Sequence, residues 1–334
     1  MPIHPHSDDE GEALDLQNTR VQKRARCSGH DDNEGLGESS SNEQSSQSQM
    51  DFWFHDGDIV LAIERMLVRV HKRVLSRSHV WDDMLEIPQP SYIETYDGLP
   101  LVKLYGDTAN DWLSLLRWLY NDRQFYTSPS ASHFPTLSGA LRLSTKYDFP
   151  ALRTWCITRL LTLWPPLSLV PSLSSTPPLP HALAITLARQ TDVPEILPAA
   201  FYSLATLKWR NAADGGNAHE VLSPGDLRRV ILGREALQEL IDEFRSTLDD
   251  SPSTLAASDP HYTCKTVLER RWRKAFKDGI GSSNGNGVCV LRTLQEMMIE
   301  NLEEACDGHL RWHRELARER MEKVVDAVPR MFML

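Results

Sequence analysis

Two short spacings near the carboxy terminus combine residue types that hold metal ions. His261 and Cys264 are separated by two residues, and so are Cys306 and His309. A two-residue gap lets both side chains turn toward one ion, and two such pairs are how many tetrahedral zinc sites collect their ligands. The same letters also fit small buried cysteines on amphipathic helices, with the histidines at exposed ends. Neither pair lies on a recognisable zinc knuckle. The sequence alone therefore assigns no metal ligand, no cofactor-binding residue and no catalytic residue.

Other chemistry is present only in fragments. There is no G-x-S-x-G elbow, no H-E-x-x-H pair and no G-x-x-x-x-G-K-[ST] phosphate loop. The glycine-rich "GIGSSNGNG" follows a basic helix instead of a strand and lacks the lysine a phosphate site needs, so a surface loop accounts for it. In "CKTVLERRWRKAFK" the stripe Cys264, Leu268, Trp272 and Phe276 is the buried side of a helix. Arg270, Arg271, Arg273, Lys274 and Lys277 form its solvated side, and nucleic acid is not an expected partner. The expectation is a protein that is not an enzyme, the alternative being an enzyme whose site is assembled from distant residues and leaves no motif.

These residues belong to a chain of 334 residues, 41% hydrophobic and 25% charged, long enough for two domains and tails. Its net charge of -10 is concentrated at the start, where residues 1–50 hold ten acidic and four basic side chains. That segment has no Phe, Trp or Tyr and is crowded with Ser, Gln and Asn, so it is expected to be a disordered tail. Within it "KRAR", Lys23 to Arg26, is either an import signal or a solvated basic island. Cys27, Cys156, Cys264, Cys289 and Cys306 are odd in number and irregularly spaced, which fits a reducing compartment. With no apolar run of membrane-spanning length and no signal-like start, the expected location is intracellular, cytoplasmic or nuclear, with no membrane contact.

The elements that position these residues follow from the apolar pattern. Ile59 to Ile63 suits a buried strand, with Met66 to Val70 as its hairpin partner across Glu64-Arg65. A helical piece, "HKRVLSRSHVWDDML", leads into a Pro-punctuated loop, "EIPQPSYIETYDGLP", and then a third strand, "LVKLY". Asp107 or Asn110 can cap a helix striped by Trp112, Leu115, Leu116, Leu119 and Tyr120, and a helical hairpin follows with Pro135 and Pro150 early in its two helices. The division expected is a tail at 1–50, an α+β domain at 51–164, a Pro/Ser-rich linker at 165–180 and an all-helical domain at 181–334. Helices are expected near 181–190, 194–208, 224–231, 233–247, 262–277, 289–305 and 308–327, interrupted by mobile inserts at "NAADGGNAHE" and "KDGIGSSNGNG". At the end, Cys306, Leu310, His313, Ala317, Met321, Val324 and Val328 make one stripe, and Met331, Phe332 and Leu334 are expected to enter the core after Pro329 breaks the helix.

The hairpin-then-helix unit resembles the BTB/POZ family. The letters that carry the resemblance are Asp58-Ile59-Val60, Val70-His71-Lys72, Val74-Leu75, Ser78, Trp81 and Met84-Leu85. The likeness continues through "LLRWLY" and "LSTKYDFPALRTWCITRL", and the helical half is similar to that of BTB proteins of basidiomycete fungi in "ITLARQTDVPEILPAAFYSL", "LSPGDLRRVILGREAL" and "VPRMFML". The resemblance implies a protein-protein interaction module whose partner is a protein, either a second copy or another BTB-type chain. It also implies Asp58 and Lys72 as interface residues lining a dimer groove; the alternative is a structural pair bonded to backbone or to each other. A further alternative is a substrate adaptor for a cullin-type ubiquitin ligase, for which Met84-x-Glu86 or Tyr92-x-Glu94 would stand in for the hydrophobic-x-Glu element.

Overall fold

The computed structural model describes residues 52–88, 93–120, 133–169, 180–207, 218–249, 261–277, 289–303 and 305–334. The amino-terminal tail and most of the Pro/Ser-rich linker and of the two expected inserts lie outside these residues.

The first strands among the described residues form an antiparallel hairpin, β1 (Ile59–Ile63) and β2 (Met66–Val70), in which Ile59 pairs with Val70 and Ile63 with Met66. Glu64 makes the tight turn at a left-handed φ of 53°, and its carboxylate accepts the backbone N–H of Ala109. One turn of helix, α1 (Lys72–Leu75), and the longer α2 (His79–Glu86) carry the chain across to β4 (Leu99–Leu104), which lies parallel to β1. A strand missed by the sequence reading, β3 (Thr95–Tyr96), pairs with β4 through a turn at Asp97-Gly98. Both turn residues have positive φ, 50° and 75°, the conformation for which Asp-Gly is suited. The sheet order is β2-β1-β4-β3.

Helices cover this sheet. In α3 (Ala109–Leu119), Trp112, Leu115, Leu116 and Leu119 are buried, as their spacing predicts. Its cap is Thr108, whose hydroxyl accepts the N–H of Asp111, and neither Asp107 nor Asn110 fills that position. Asp107 is buried instead, and its carboxylate accepts hydrogen bonds from Trp112 Nε1 at 3.0 Å, Lys146 Nζ at 2.6 Å and the Tyr147 hydroxyl. The expected helical hairpin is α4 (Phe134–Lys146) and α5 (Pro150–Leu163), each with proline in its first turn.

The remaining elements are helical: α6 (His181–Thr191), α7 (Leu197–Thr206), α8 (Ala218–Val221), α9 (Pro224–Asp249), α10 (Tyr262–Ala275), α11 (Val290–Ile299) and α12 (Asp307–Met331). Two helices expected at 224–231 and 233–247 are one, because Gly233 continues the helix and leaves room for the ring of Phe332. The end of the first expected insert belongs to α8. Pro329 does not break α12; the helix runs to Met331 and closes with Met333 at φ 53°, Met333 N–H donating to Arg330 O and Leu334 N–H to Pro329 O. Pro329 has no N–H to donate to the carbonyl four residues before it, and the helix continues past that missing bond to Met331. Phe332 is fully buried as expected, whereas Leu334 is exposed.

A single hydrophobic cluster runs from Phe52 to Phe332 and includes side chains from both sides of the Pro/Ser-rich stretch. Trp164, buried at the end of α5, donates its indole N–H to His181 Nδ1 at 2.9 Å and so joins the two halves. Cys264, Ala305 and Leu310 form a second, much smaller cluster with Leu302 packed on it.

Candidate functional site

Two regions collect residues singled out by the sequence. The first is the junction of β1, β2 and α1. Gly57 and Asp58 approach the end of β2, and Asp58 Oδ1 accepts the backbone N–H of Lys72 at 2.7 Å, bonding the first residue of α1. Asp58 is exposed and Lys72 half-buried, so in the single chain this is no buried ion pair. The Lys72 ammonium makes no ion pair among the described residues. Beside it, buried His71 takes a 2.9 Å hydrogen bond between Nδ1 and the Tyr120 hydroxyl, while Nε2 lies 3.2 Å from Asp56 Oδ1. The hydrogen bond from His71 holds the Asp56 carboxyl below its ordinary range.

Behind this surface the aromatic of the helix motif, Trp81, is fully buried, edge-on to Trp112 at 5.9 Å between ring centroids. Ser78 caps α2 by accepting the Trp81 N–H at 3.1 Å, and its hydroxyl donates to the Tyr147 carbonyl. Motif positions Ser78 and Trp81 are thus a cap and a core residue, and they connect α2 to the end of α4. Burial raises the Asp107 carboxyl, but hydrogen bonds from Lys146, Tyr147 and Trp112 outweigh it and leave the group below its usual value. Met84 and Glu86 are exposed at the end of α2. Glu94 pairs with Lys103, and Tyr92 lies outside the described residues.

The second region is where α10 and α12 begin. One ligand atom from each of His261, Cys264, Cys306 and His309 lies within 4.8 Å of all the others. Cys306 Sγ is 3.2 Å from His309 Nδ1 and 3.8 Å from His261 Nδ1. The Cys306 backbone N–H donates to Cys264 Sγ at 3.3 Å. Each helix supplies one pair in the same way: the residue preceding its first turn, His261 or Cys306, and the residue three further on. Neither His261 nor Cys306 uses its side chain as a helix cap. Cys264 is buried, His309 half-buried, and His261 and Cys306 exposed. The hydrogen bond with the His309 side chain, followed by the His309 backbone N–H, brings the Cys306 thiol down to about 6.

The spacing of these four residues was visible in the sequence, while their convergence was not. The aromatic stripe of α10 is buried as predicted, and Arg270, Arg273, Lys274 and Lys277 face solvent. Arg271 is held by Glu300 at 2.6 Å. Missed altogether was Arg320, a buried arginine whose guanidinium sits 4.4 Å over the Trp272 ring and 4.9 Å over that of Phe244. No pattern marked it, since it falls one residue short of the apolar stripe at Met321.

Among the described residues, no helix is long and apolar enough to cross a membrane. No family model matches the chain, and no curated protein matches it.

Proposed function

We propose that this chain is a non-enzymatic interaction protein of the BTB/POZ type, acting in the cytoplasm or nucleus, in which the α+β unit pairs with a second copy of itself. The observation that carries the reading is the connection of an antiparallel hairpin through α1 and α2 to a strand parallel with its first member, with motif residues Asp58, Ser78 and Trp81 at its joints. This is the arrangement the family resemblance implies. Asp58 and Lys72 stand at the surface of a single chain, where a second copy can cover them. The helical half then offers a second surface on the same hydrophobic core.

Light scattering of the full chain over a concentration series tests this. A mass that rises to twice the monomer at micromolar protein is expected, and a strictly monomeric mass overturns self-association. The ubiquitin-ligase adaptor reading rests on exposed Met84 and Glu86. Binding of a purified cullin scaffold that is lost in Met84→Ala would support it.

A further inference from the structure

We propose that His261, Cys264, Cys306 and His309 bind one structural zinc ion that fastens the start of α10 to the start of α12. The inference is independent of the interaction reading, since it concerns the opposite end of the chain.

The geometry fits such an ion. Zinc–sulfur bonds of about 2.3 Å and zinc–nitrogen bonds of about 2.0 Å in a tetrahedron place neighbouring ligand atoms about 3.3–3.8 Å apart. The separations at Cys306 Sγ, 3.2 Å and 3.8 Å, straddle that range, and the largest spread among the four atoms is 4.8 Å. Closing the widest separation, 4.8 Å, into that range takes about 1.0–1.5 Å, shared between two side chains. Both imidazoles turn Nδ1 toward the Cys306 thiol. Two thiols and two imidazoles are the donor set of tetrahedral zinc, and four protein ligands leave no open position for substrate.

The helices supply a reason for the site. Cys264 meets Cys306 at one level, and Trp272 donates to His313 Nδ1 at 3.0 Å further along, so α10 and α12 run side by side in the same direction. Their positive ends are adjacent, an arrangement that repels unless negative charge sits between them. Two thiolates provide that charge. A divalent ion, binding as the two thiols release their protons, leaves the site neutral overall. The Cys306 N–H bonded to Cys264 Sγ supports a thiolate from the backbone.

The local packing is otherwise thin. Among the described residues, Cys264, Ala305 and Leu310, with Leu302 against them, form the cluster at this end, separate from the main core. Two positions that commonly carry Ser, Thr, Asp or Asn caps are His261 and Cys306, neither of which caps.

The test uses the full-length protein incubated with Zn²⁺ and desalted. One zinc per chain by elemental mass spectrometry is expected, with Cys289→Ser unchanged and Cys306→Ser reduced to a small fraction of that. Because Cys306 is exposed, the variant is expected to keep its helical circular dichroism. The wild-type chain loaded with Co²⁺ gives a readout that does not depend on any variant folding. Strong visible bands of a tetrahedral ion, together with thiolate charge-transfer absorption, are expected. A chain that retains no zinc, whether its thiols are free or Cys264 and Cys306 are joined as a disulfide, overturns the proposal. So does a weak octahedral cobalt spectrum without thiolate absorption.

Discussion

Phe332 lies against the backbone of α9 at Gly233, so closely that a Cβ at Gly233 would stand 2.0 Å from its ring. The ring also packs on Phe201, with centroids 5.5 Å apart. Replacing a helix-interior glycine with alanine ordinarily stabilises by about 1 kcal/mol. Here Gly233→Ala is expected to destabilise by about 1–3 kcal/mol, the usual cost of overpacking a filled core. Urea unfolding decides the sign. The double variant Gly233→Ala, Phe332→Leu should recover part of the loss, and a raised midpoint in the single variant would show that the ring has room to move.

That pair shows what the sequence could and could not reveal. Ile59 to Ile63 and Met66 to Val70 were legible because an apolar run, a two-residue gap and a second run determine a hairpin locally. Gly233 looked like a break between helices because its use lies across the fold, at Phe332. Asp107 looked like a cap for the same reason: its partners Lys146 and Tyr147 are 39 and 40 residues away. Asp97-Gly98 carried a turn signal that the prolines upstream obscured. The His-Cys and Cys-His spacings were local and readable, but their meeting depends on how two helix starts 45 residues apart are placed.

Asp107 is a buried carboxylate whose side chain is 3% exposed while that of its partner Lys146 is 47% exposed. Asp107→Asn is expected to cost about 1–3 kcal/mol, below the full value of a broken buried pair because water screens Lys146. The folded carboxyl titrates below its ordinary value, so its contribution is present above about pH 4 and lost as pH falls through the lower folded value. The stability gap between wild type and variant, measured by chemical denaturation from pH 7 downward, should stay level to about pH 4 and then narrow. A gap that widens with acid would mean that the carboxyl is raised.

Asp58 holds the Lys72 N–H through one carboxylate oxygen, and an asparagine amide keeps an acceptor there. Asp58→Asn should therefore change stability by less than about 1 kcal/mol, whereas Asp58→Ala removes the acceptor and costs about 0.5–2 kcal/mol. If the Asp58 charge contributes to self-association, Asp58→Asn weakens the dimer about tenfold, equivalent to about 1.4 kcal/mol. Sedimentation velocity beside thermal melts separates the two effects. Loss of association in step with loss of folding would give Asp58 a purely structural role.

The last prediction concerns His181, whose Nδ1 accepts the indole N–H of Trp164 in the core that joins the α+β unit to the helices. An imidazole that accepts at Nδ1 is neutral, with its proton on Nε2, and protonating Nδ1 would break the bond. Burial pushes the group down to about 4, against about 6.5 in an unfolded chain. The unfolded state therefore binds the proton first as pH falls. Stability is complete above about pH 6.5 and declines toward pH 4, by about 3 kcal/mol for a shift of this size. His181→Asn places an amide oxygen near the position of Nδ1 and cannot titrate in this range. It is expected to be less stable than wild type at pH 7, where it leaves a small cavity, but to lose less on acidification. The decisive quantity is thus the slope of stability against pH between 7 and about 4, not its level at either end. Other groups that titrate in this window, His313 among them, act in both proteins and cancel in the difference. Equal slopes would mean that His181 takes up its proton at the same pH in the folded and unfolded chain and that the Trp164 contact contributes no acid sensitivity.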